Sequence, residues 1–594
     1  MENPKPLWEV TADLSAVAMG RLPADLVIRN GQLVNVFTGE ILEHMDVAVK
    51  HGRIALVGDA SGCIGKKTRI IEANHDYLVP GFLDGHIHVE SSMLTVREYA
   101  RITVPHGTSA IFMDPHEIVN VSGLDAMRVM MDDASWTPLR VFTTTPSCVP
   151  AAPGLENTGG AVSAEDIEDT MKWSGVAGLG EMMDIFGILD SDPKAHAKVA
   201  AVLRAGKPVT GHFALPDTGS MLNAYAAAGI SSCHESTRPE EALAKLRLGM
   251  YAMVREGSAW DDLPTVIKAV TQSGIDTRRV VFVSDDLHAD TILSCGHMDA
   301  IARLAIQCGV EPVTAIQMIT INTAECFGLS GEIGSIAPGR LADINILSAL
   351  KSVRVRQVII GGEPVAENGE LCTGLTSVRY PEFLRTTMKI NRVVQADDFA
   401  VPIPGNVDYK GVRVMEIHEN NVLTSSIIQT LPVENGMVQS DPEQDICKVA
   451  VINRHGLDSM FVGFVKGFSL KKGAAASTYA HDAHNLIIVG KNEEDMALAA
   501  NTLVSCGGGM TAVADGEVLQ CVELPVAGLI SEKSASEVAG ELKDLAGAWK
   551  EFGCPIESPF MTMSLLSLAV IPELRITDKG MVDVLKNKLV SLFV

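Results

Sequence analysis

The stretch Leu78–Met93 reads LVPGFLDGHIHVESSM. It begins as an apolar, strand-like run and ends in two histidines one residue apart, His86 and His88. Residues i and i+2 of a strand share a face, so both imidazoles point the same way. Working outward from this stretch, apolar runs alternate with helix-like segments as far as about residue 328. Eight strand-like runs are visible: YLVPGFLDGHIH, TSAIFMDP, RVFTTTPS, GVAGLGEMM, KPVTGHFA, GISSCHES, GMYAMVREG and RVVFVSDD. Segments such as AEDIEDTMKW and DPKAHAKVAAVLRAG lie between them. Eight such units over about 250 residues predict a (β/α)8 barrel. An open doubly wound sheet is the alternative, but no GxGxxG turn follows the first strand.

The polar residues then fall into a pattern. Strand 1 ends in His86 and His88, strand 4 in Glu181, strand 5 in His212, strand 6 in His234 and strand 8 in Asp285 and Asp286. In a barrel these carboxyl ends form one rim, the rim that carries active sites. One histidine after an apolar strand is more often a hydrogen-bonded core or turn residue. Imidazoles and carboxylates at matching positions of five strands instead predict a divalent-metal site with N and O ligands and no thiolate. His51, His75, His106 and His196 read as ordinary surface or turn residues.

The flanking sequence has a different texture. Residues 25–60 are short β-rich runs broken by Asn-Gly, Thr-Gly and His-Gly, as in hairpins. The same texture returns at GSIAPGRLADINIL and RVRQVIIGGEPV. This predicts a small split β-sandwich domain from residues 1–79 and 329–400, with the barrel, 80–328, inserted in it. Residues 401–594 are expected to form a further α/β or α+β domain. Its strands are KVAVINRHG, MFVGFVKGF and HNLIIVG; its helices are NEEDMALAANTLVSCGG and SASEVAGELKDLAGAWKEFG. The Gly-rich SCGGGM lacks the Lys and Ser/Thr of a P-loop and reads as a tight turn.

Composition narrows the class. The chain has 594 residues, 47% hydrophobic, with a formal net charge of −25. That charge argues against nucleic acid, whose phosphates need Lys and Arg. No apolar run reaches the roughly 18–20 residues of a membrane span, and MENPKPLWEVTADLS lacks the pattern of a signal peptide. Eleven scattered cysteines without a CxxC pair fit reduced thiols and a cytoplasmic location.

PGFLDGHIH, the later single histidines, the strand-8 aspartate and the split β domain resemble the amidohydrolase superfamily across residues 25–400. More narrowly, PGFLDGHIHVESSM, MDPHEIVNV, GLGEMMD, GHFA, CHESTRPEEALAKLRLGMYAMVREGS, SDDLHADTI and the C-terminal GFVKGFSLKKGAAASTYAHDAHNLIIVG are similar to the bacterial adenine deaminase family. The resemblance implies hydrolysis of adenine to hypoxanthine and ammonia, with two divalent metal ions per chain. Manganese is expected first, then iron, then zinc. It places His86, His88 and Asp285 on the more buried ion and His212 and His234 on the second. Many relatives bridge their ions with a carboxylated lysine on strand 4; here Glu181 stands at that place and is expected to bridge, with second-sphere support or proton donation to the ring as the alternative.

Asp285 is then the expected proton shuttle from water to the leaving amine. Asp114, His116 and Glu117, just past strand 2, are expected to orient substrate, fix a ligand tautomer or move protons. Glu90, Ser91, Ser92, Arg255 and Asp286 are candidate substrate contacts, with a structural ion pair as the alternative for Arg255, beside Glu256. His481, Asp482 and His484 suit a loop closing the site (from this or a neighbouring subunit), a weak extra metal site, or a plain turn. The competing functions are a metal-dependent amidohydrolase acting on a cyclic amide or a modified adenine, and a non-catalytic binding protein; a homodimer is the expected assembly.

Overall fold

The computed structural model describes residues 4–258, 261–372, 374–403, 405, 411–418 and 421–594. All eight expected barrel strands are present: β1 (Phe82–Ile87), β2 (Thr108–Met113), β3 (Arg140–Thr145), β4 (Val176–Met182), β5 (Val209–Gly211), β6 (Ser232–Cys233), β7 (Tyr251–Arg255) and β8 (Val280–Val283). Most of their residues are buried, as expected of parallel strands covered by helices on one side and packed on each other on the other. Strands β1 to β5 pair in parallel as one sheet and β6 to β8 as another. Parallel bridges Val209↔Ile230 and Ile87↔Asp285 close the two sheets into a ring. Leu83, Ala110, Phe112, Met253, Val281 and Val283 form a shared apolar cluster, with Phe112 stacked on Phe327 at 3.7 Å between ring centroids.

The run that reads as one strand, YLVPGFLDGHIH, is in fact two. Tyr77–Pro80 belongs to the nine-stranded sheet of the flanking segments, where it pairs with Gln32–Leu33 in parallel and with Ile344–Leu347 antiparallel. After Gly81 the chain enters the barrel as β1. Two features separate the parts. Pro80 has no N–H for a continuing ladder. Gly81 sits where a Cβ would lie 2.2 Å from Ser109 Oγ and 2.5 Å from Ser109 Cβ. The nine-stranded sheet draws its strands from residues 26–80 and 344–371, so both flanking segments complete one β structure. Arg140, on β3, donates to both oxygens of Asp343 at 2.7 and 3.0 Å, a bidentate clamp between barrel and sheet.

The C-terminal region is an eight-stranded mixed sheet from residues 412–523. Helices Glu493–Cys506 and Ala535–Glu551 match the expected ones. Asn492 caps the first, and a Ser534–Glu537 capping box starts the second, satisfying backbone N–H groups that the first turn leaves unpaired. This region is seated on the barrel rim. Ser531 N donates to Met93 O at 2.8 Å, and Asp578 accepts from the Asn157 side chain at 2.7 Å.

Gly81→Ala is expected to destabilise the chain by about 1–3 kcal/mol, the usual cost of forcing extra volume into a packed core. Ser109→Gly in the same chain should recover part of the loss. Urea unfolding of the single and double variants checks this; equal midpoints for Gly81→Ala and the parent would refute the close approach.

Candidate metal centre

The carboxyl ends of the strands converge as the sequence pattern implies. Glu181, on β4, is buried, and its two oxygens face different pairs of imidazoles. Oε1 lies 3.8 Å from His86 Nε2 and 3.4 Å from His88 Nε2. Oε2 lies 3.2 Å from His234 Nε2 and also contacts His212 Nδ1. Asp285 Oδ1 completes the first group at 3.5 Å from His86 Nε2 and 3.2 Å from His88 Nε2. Burial would raise the Glu181 pKa, but His212 and His234 outweigh it and hold the carboxyl well below its ordinary range.

Strict alternation along β1 would send Asp84, His86 and His88 to one side. Asp84 instead faces Ser284 and His297, while the two histidines face Glu181 and Asp285. The β1–β2 register shifts between Asp84 and Ile87, an irregularity of the kind that re-aims side chains beside active sites. Asp84 accepts from Ser284 N at 3.1 Å, Ser284 Oγ at 2.5 Å and His86 N at 3.3 Å, and its Oδ2 lies 3.2 Å from His297 Nε2. It thus ties the ends of β1 and β8 together. Sequence reasoning passed over it, because an aspartate within an apolar run carries no signal of which strand end it will hold.

The residues past β2 support the same centre. The Asp114 carbonyl stands 2.9 Å from His88 Nδ1, which makes Nδ1 the protonated nitrogen and leaves Nε2 free to face Glu181 and Asp285. The Asp114 carboxylate accepts from Glu181 N at 2.9 Å. His116 Nδ1 lies 3.2 Å from Glu181 Oε1.

Arg255 lies in a buried ion-pair cluster. Its Nη1 reaches Glu235 and, at 2.9 Å, Asp285 Oδ2; its Nε donates to Asp262 at 2.9 Å. The second oxygen of Asp285 is therefore held by a guanidinium. Glu235 was missed; it follows His234 directly, where an acidic residue looks like the start of the next loop. Burial favours its neutral form, but Arg255 overrides that and lowers its pKa.

The VESSM tail divides. Glu90 Oε1 accepts from Ile118 N at 3.1 Å, and burial, then Glu117, push its pKa to about 7. Ser92 Oγ donates to the Val89 carbonyl at 2.6 Å. Ser91 Oγ bonds to Asp286 and to Tyr479 OH, the latter at 2.7 Å. The cavity at the centre is lined by Asp286 and Arg255 but not by Glu90, Ser91 or Ser92. All three lie on a short 3-10 helix, Val89–Ser92, and Glu90 Oε2 is buried without a hydrogen-bond partner.

His481 and Asp482 line the same cavity, together with Val422, Leu565, Leu568 and Ile571. The loop therefore reaches the centre from within its own chain. Buried Arg454 supports it, donating to the His484 carbonyl and, at 2.8 Å, to that of Ala527. The volume of this cavity is about 20 Å³. A much larger cavity of about 800 Å³ adjoins it, sharing Glu235, Val422 and Ile571.

The donor set suits divalent cations. A tetrahedral ion with N and O ligands at about 2.0–2.2 Å places its ligand atoms roughly 3.3–3.6 Å apart, close to the separations among His86, His88, Glu181 and Asp285. His86 Nε2, aimed into this group, is buried without a hydrogen-bond partner.

A closed parallel barrel with this rim of imidazoles and carboxylates defines a hydrolase of the amidohydrolase class, and the amidohydrolase family model matches residues 77–365. The chain belongs to the adenine deaminase family. The adenine deaminase C-terminal domain model matches residues 421–588. An adenine deaminase of Clostridium botulinum is 55% identical over 593 residues, spanning 100% of this chain and 99% of that protein. Those of Moorella thermoacetica (53% over 589 residues, 99% of each) and Mesorhizobium japonicum (46% over 595 residues, 100% of this chain and 98% of that protein) are similar throughout. No helix among the described residues is long and apolar enough to cross a membrane.

Asp84→Ala would strip an acceptor from two backbone amides, one hydroxyl and His297. It is expected to cost about 2–4 kcal/mol of stability, against about 1 kcal/mol for Ser284→Ala. Chemical unfolding followed by tryptophan fluorescence ranks the two; equal losses would remove Asp84 from its positioning role.

Proposed function

We propose that the chain hydrolyses adenine to hypoxanthine and ammonia, using two divalent cations, manganese or iron, held at the centre described above. The observation that carries the two-cation reading is the division of Glu181 between His86/His88 and His212/His234. Adenine as substrate is supported by full-length similarity to proteins named adenine deaminase. In this reading His86, His88, Asp285 and Glu181 would hold one cation, and His212, His234 and Glu181 would hold the other. Bound cations supply Lewis acidity that brings the pKa of water near neutrality.

The protein's own groups do the rest. Asp285 enters the reaction as a carboxylate. Burial opposes the charge, but His234, His86, His88 and Arg255 outweigh it and keep its pKa well below the ordinary value. It accepts the proton of the attacking water and returns it to the exocyclic nitrogen, a transfer that must occur because an amide anion is too poor a leaving group. Arg255 fixes the plane of that carboxylate. Asp114 orients His88 through its carbonyl and the Glu181 backbone through its carboxylate. Glu181 presents one oxygen to each pair of imidazoles, the arrangement that a carboxylate shared by two cations needs. Asp286, on the cavity wall, is the candidate to contact the base. Val422, Leu565, Leu568 and Ile571 give the small cavity an apolar wall; the adjoining 800 Å³ cavity is the route by which a purine reaches it.

The manganese-loaded chain should convert the adenine absorbance spectrum to that of hypoxanthine with one ammonia per turnover. No spectral change, or ring opening of a hydantoin or dihydropyrimidine instead, would overturn adenine as substrate. Glu181→Gln should lose at least one cation and reduce kcat by 100-fold or more. Two retained cations with turnover abolished would assign Glu181 to proton donation instead.

A further inference from the structure

A second cluster of donor atoms lies beside the first, in the seam between the barrel and the C-terminal domain. His116 and Glu117 come from the helix His116–Ser122 that follows β2. His481 and Asp482 come from the loop joining strands Ala474–Ser477 and Leu486–Gly490. All four side chains are buried.

Their inner atoms converge. His116 Nε2 is 3.5 Å from Glu117 Oε1 and 3.6 Å from Asp482 Oδ1. His481 Nδ1 is 3.0 Å from Glu117 Oε1 and 3.6 Å from Asp482 Oδ1. These separations bracket the roughly 3.3–3.6 Å between neighbouring ligand atoms of a tetrahedral ion bound at about 2.0–2.2 Å. Hydrogen bonding does not account for the cluster. His116 Nε2 and Glu117 Oε1 are buried and neither has a hydrogen-bond partner, a costly arrangement for two polar atoms without something between them. Two neutral imidazoles and two carboxylates also balance the charge of one divalent cation. The other oxygen of Glu117 is engaged by His484 Nε2, which fixes the carboxylate plane as a supporting hydrogen bond does around a metal ligand.

We propose that His116, Glu117, His481 and Asp482 form a separate divalent-cation site that clasps the C-terminal loop to the barrel rim. Two nitrogens, two oxygens and no thiolate suit zinc, iron or manganese. His116 stands between the two centres, with Nε2 in this cluster and Nδ1 facing Glu181. A cation on Nε2 would leave Nδ1 as the N–H on the Glu181 side and so couple domain docking to the geometry of the barrel centre.

The test uses the full chain, stripped with chelator, reloaded with manganese, desalted, and counted for metal per chain. The double variant H481Q/D482N should bind one equivalent fewer than the parent, whatever the parent's total. An unchanged count overturns the proposal. Should the variant fail to fold by circular dichroism, crystals of the manganese-loaded parent decide it. An anomalous peak among the four residues supports the site; peaks at the Glu181 cluster alone overturn it. A peak in the seam with fewer than two at Glu181 would leave this proposal standing and defeat the two-cation reading instead.

Discussion

One buried carboxylate sets the terms for the rest of the molecule. Glu181 lies in the interior of a protein, where an isolated negative charge costs far more than folding can return. It is tolerated because two pairs of imidazoles, delivered by β1, β5 and β6, reach its two oxygens. That demand fixes much else. The strands must close into a ring, so that residues nearly 150 positions apart in the chain meet around one group. Strand ends must be pinned, which Asp84 does between β1 and β8 and Arg255 does between β7 and Asp285. Ring orientation must be set as well, which the Asp114 carbonyl does for His88.

The C-terminal region is part of this arrangement and not an appendage. Its apolar residues Val422, Leu565, Leu568 and Ile571 roof the small cavity, and its Tyr479 hydroxyl meets Ser91 from the β1 tail. His481 and Asp482 stand against His116 and Glu117. The cavity at the centre is about 20 Å³, and the neighbouring cavity offers the direction from which a ligand enters.

Much of this was legible in the chain. Eight apolar runs, five of them with imidazoles or carboxylates at their carboxyl ends, are a periodic signal, and His86, His88, His212 and His234, which converge on Glu181, were all visible in it. What the pattern hid has particular causes. YLVPGFLDGHIH is continuous in hydropathy, yet Pro80 and Gly81 divide it between two sheets. Alternation mispredicts Asp84, because a register shift beyond it re-aims the two histidines. The tight turn that gives the Ser92 hydroxyl a partner in the Val89 carbonyl is not written in the hydropathy of the tail. Glu235 looked like a loop residue, because only β7 places Arg255 beside it.

The sequence by itself determined the class of architecture and the chemical inventory of the rim, because strand periodicity and residue type are local properties. Tertiary structure alone decided how that inventory is shared out. Glu181 faces two histidine pairs at once, the second oxygen of Asp285 belongs to Arg255, and the His481–Asp482 loop reaches Glu117 across more than 360 residues of chain. Each depends on distances between segments that closure of the barrel and docking of the C-terminal domain establish, and no local pattern encodes such distances.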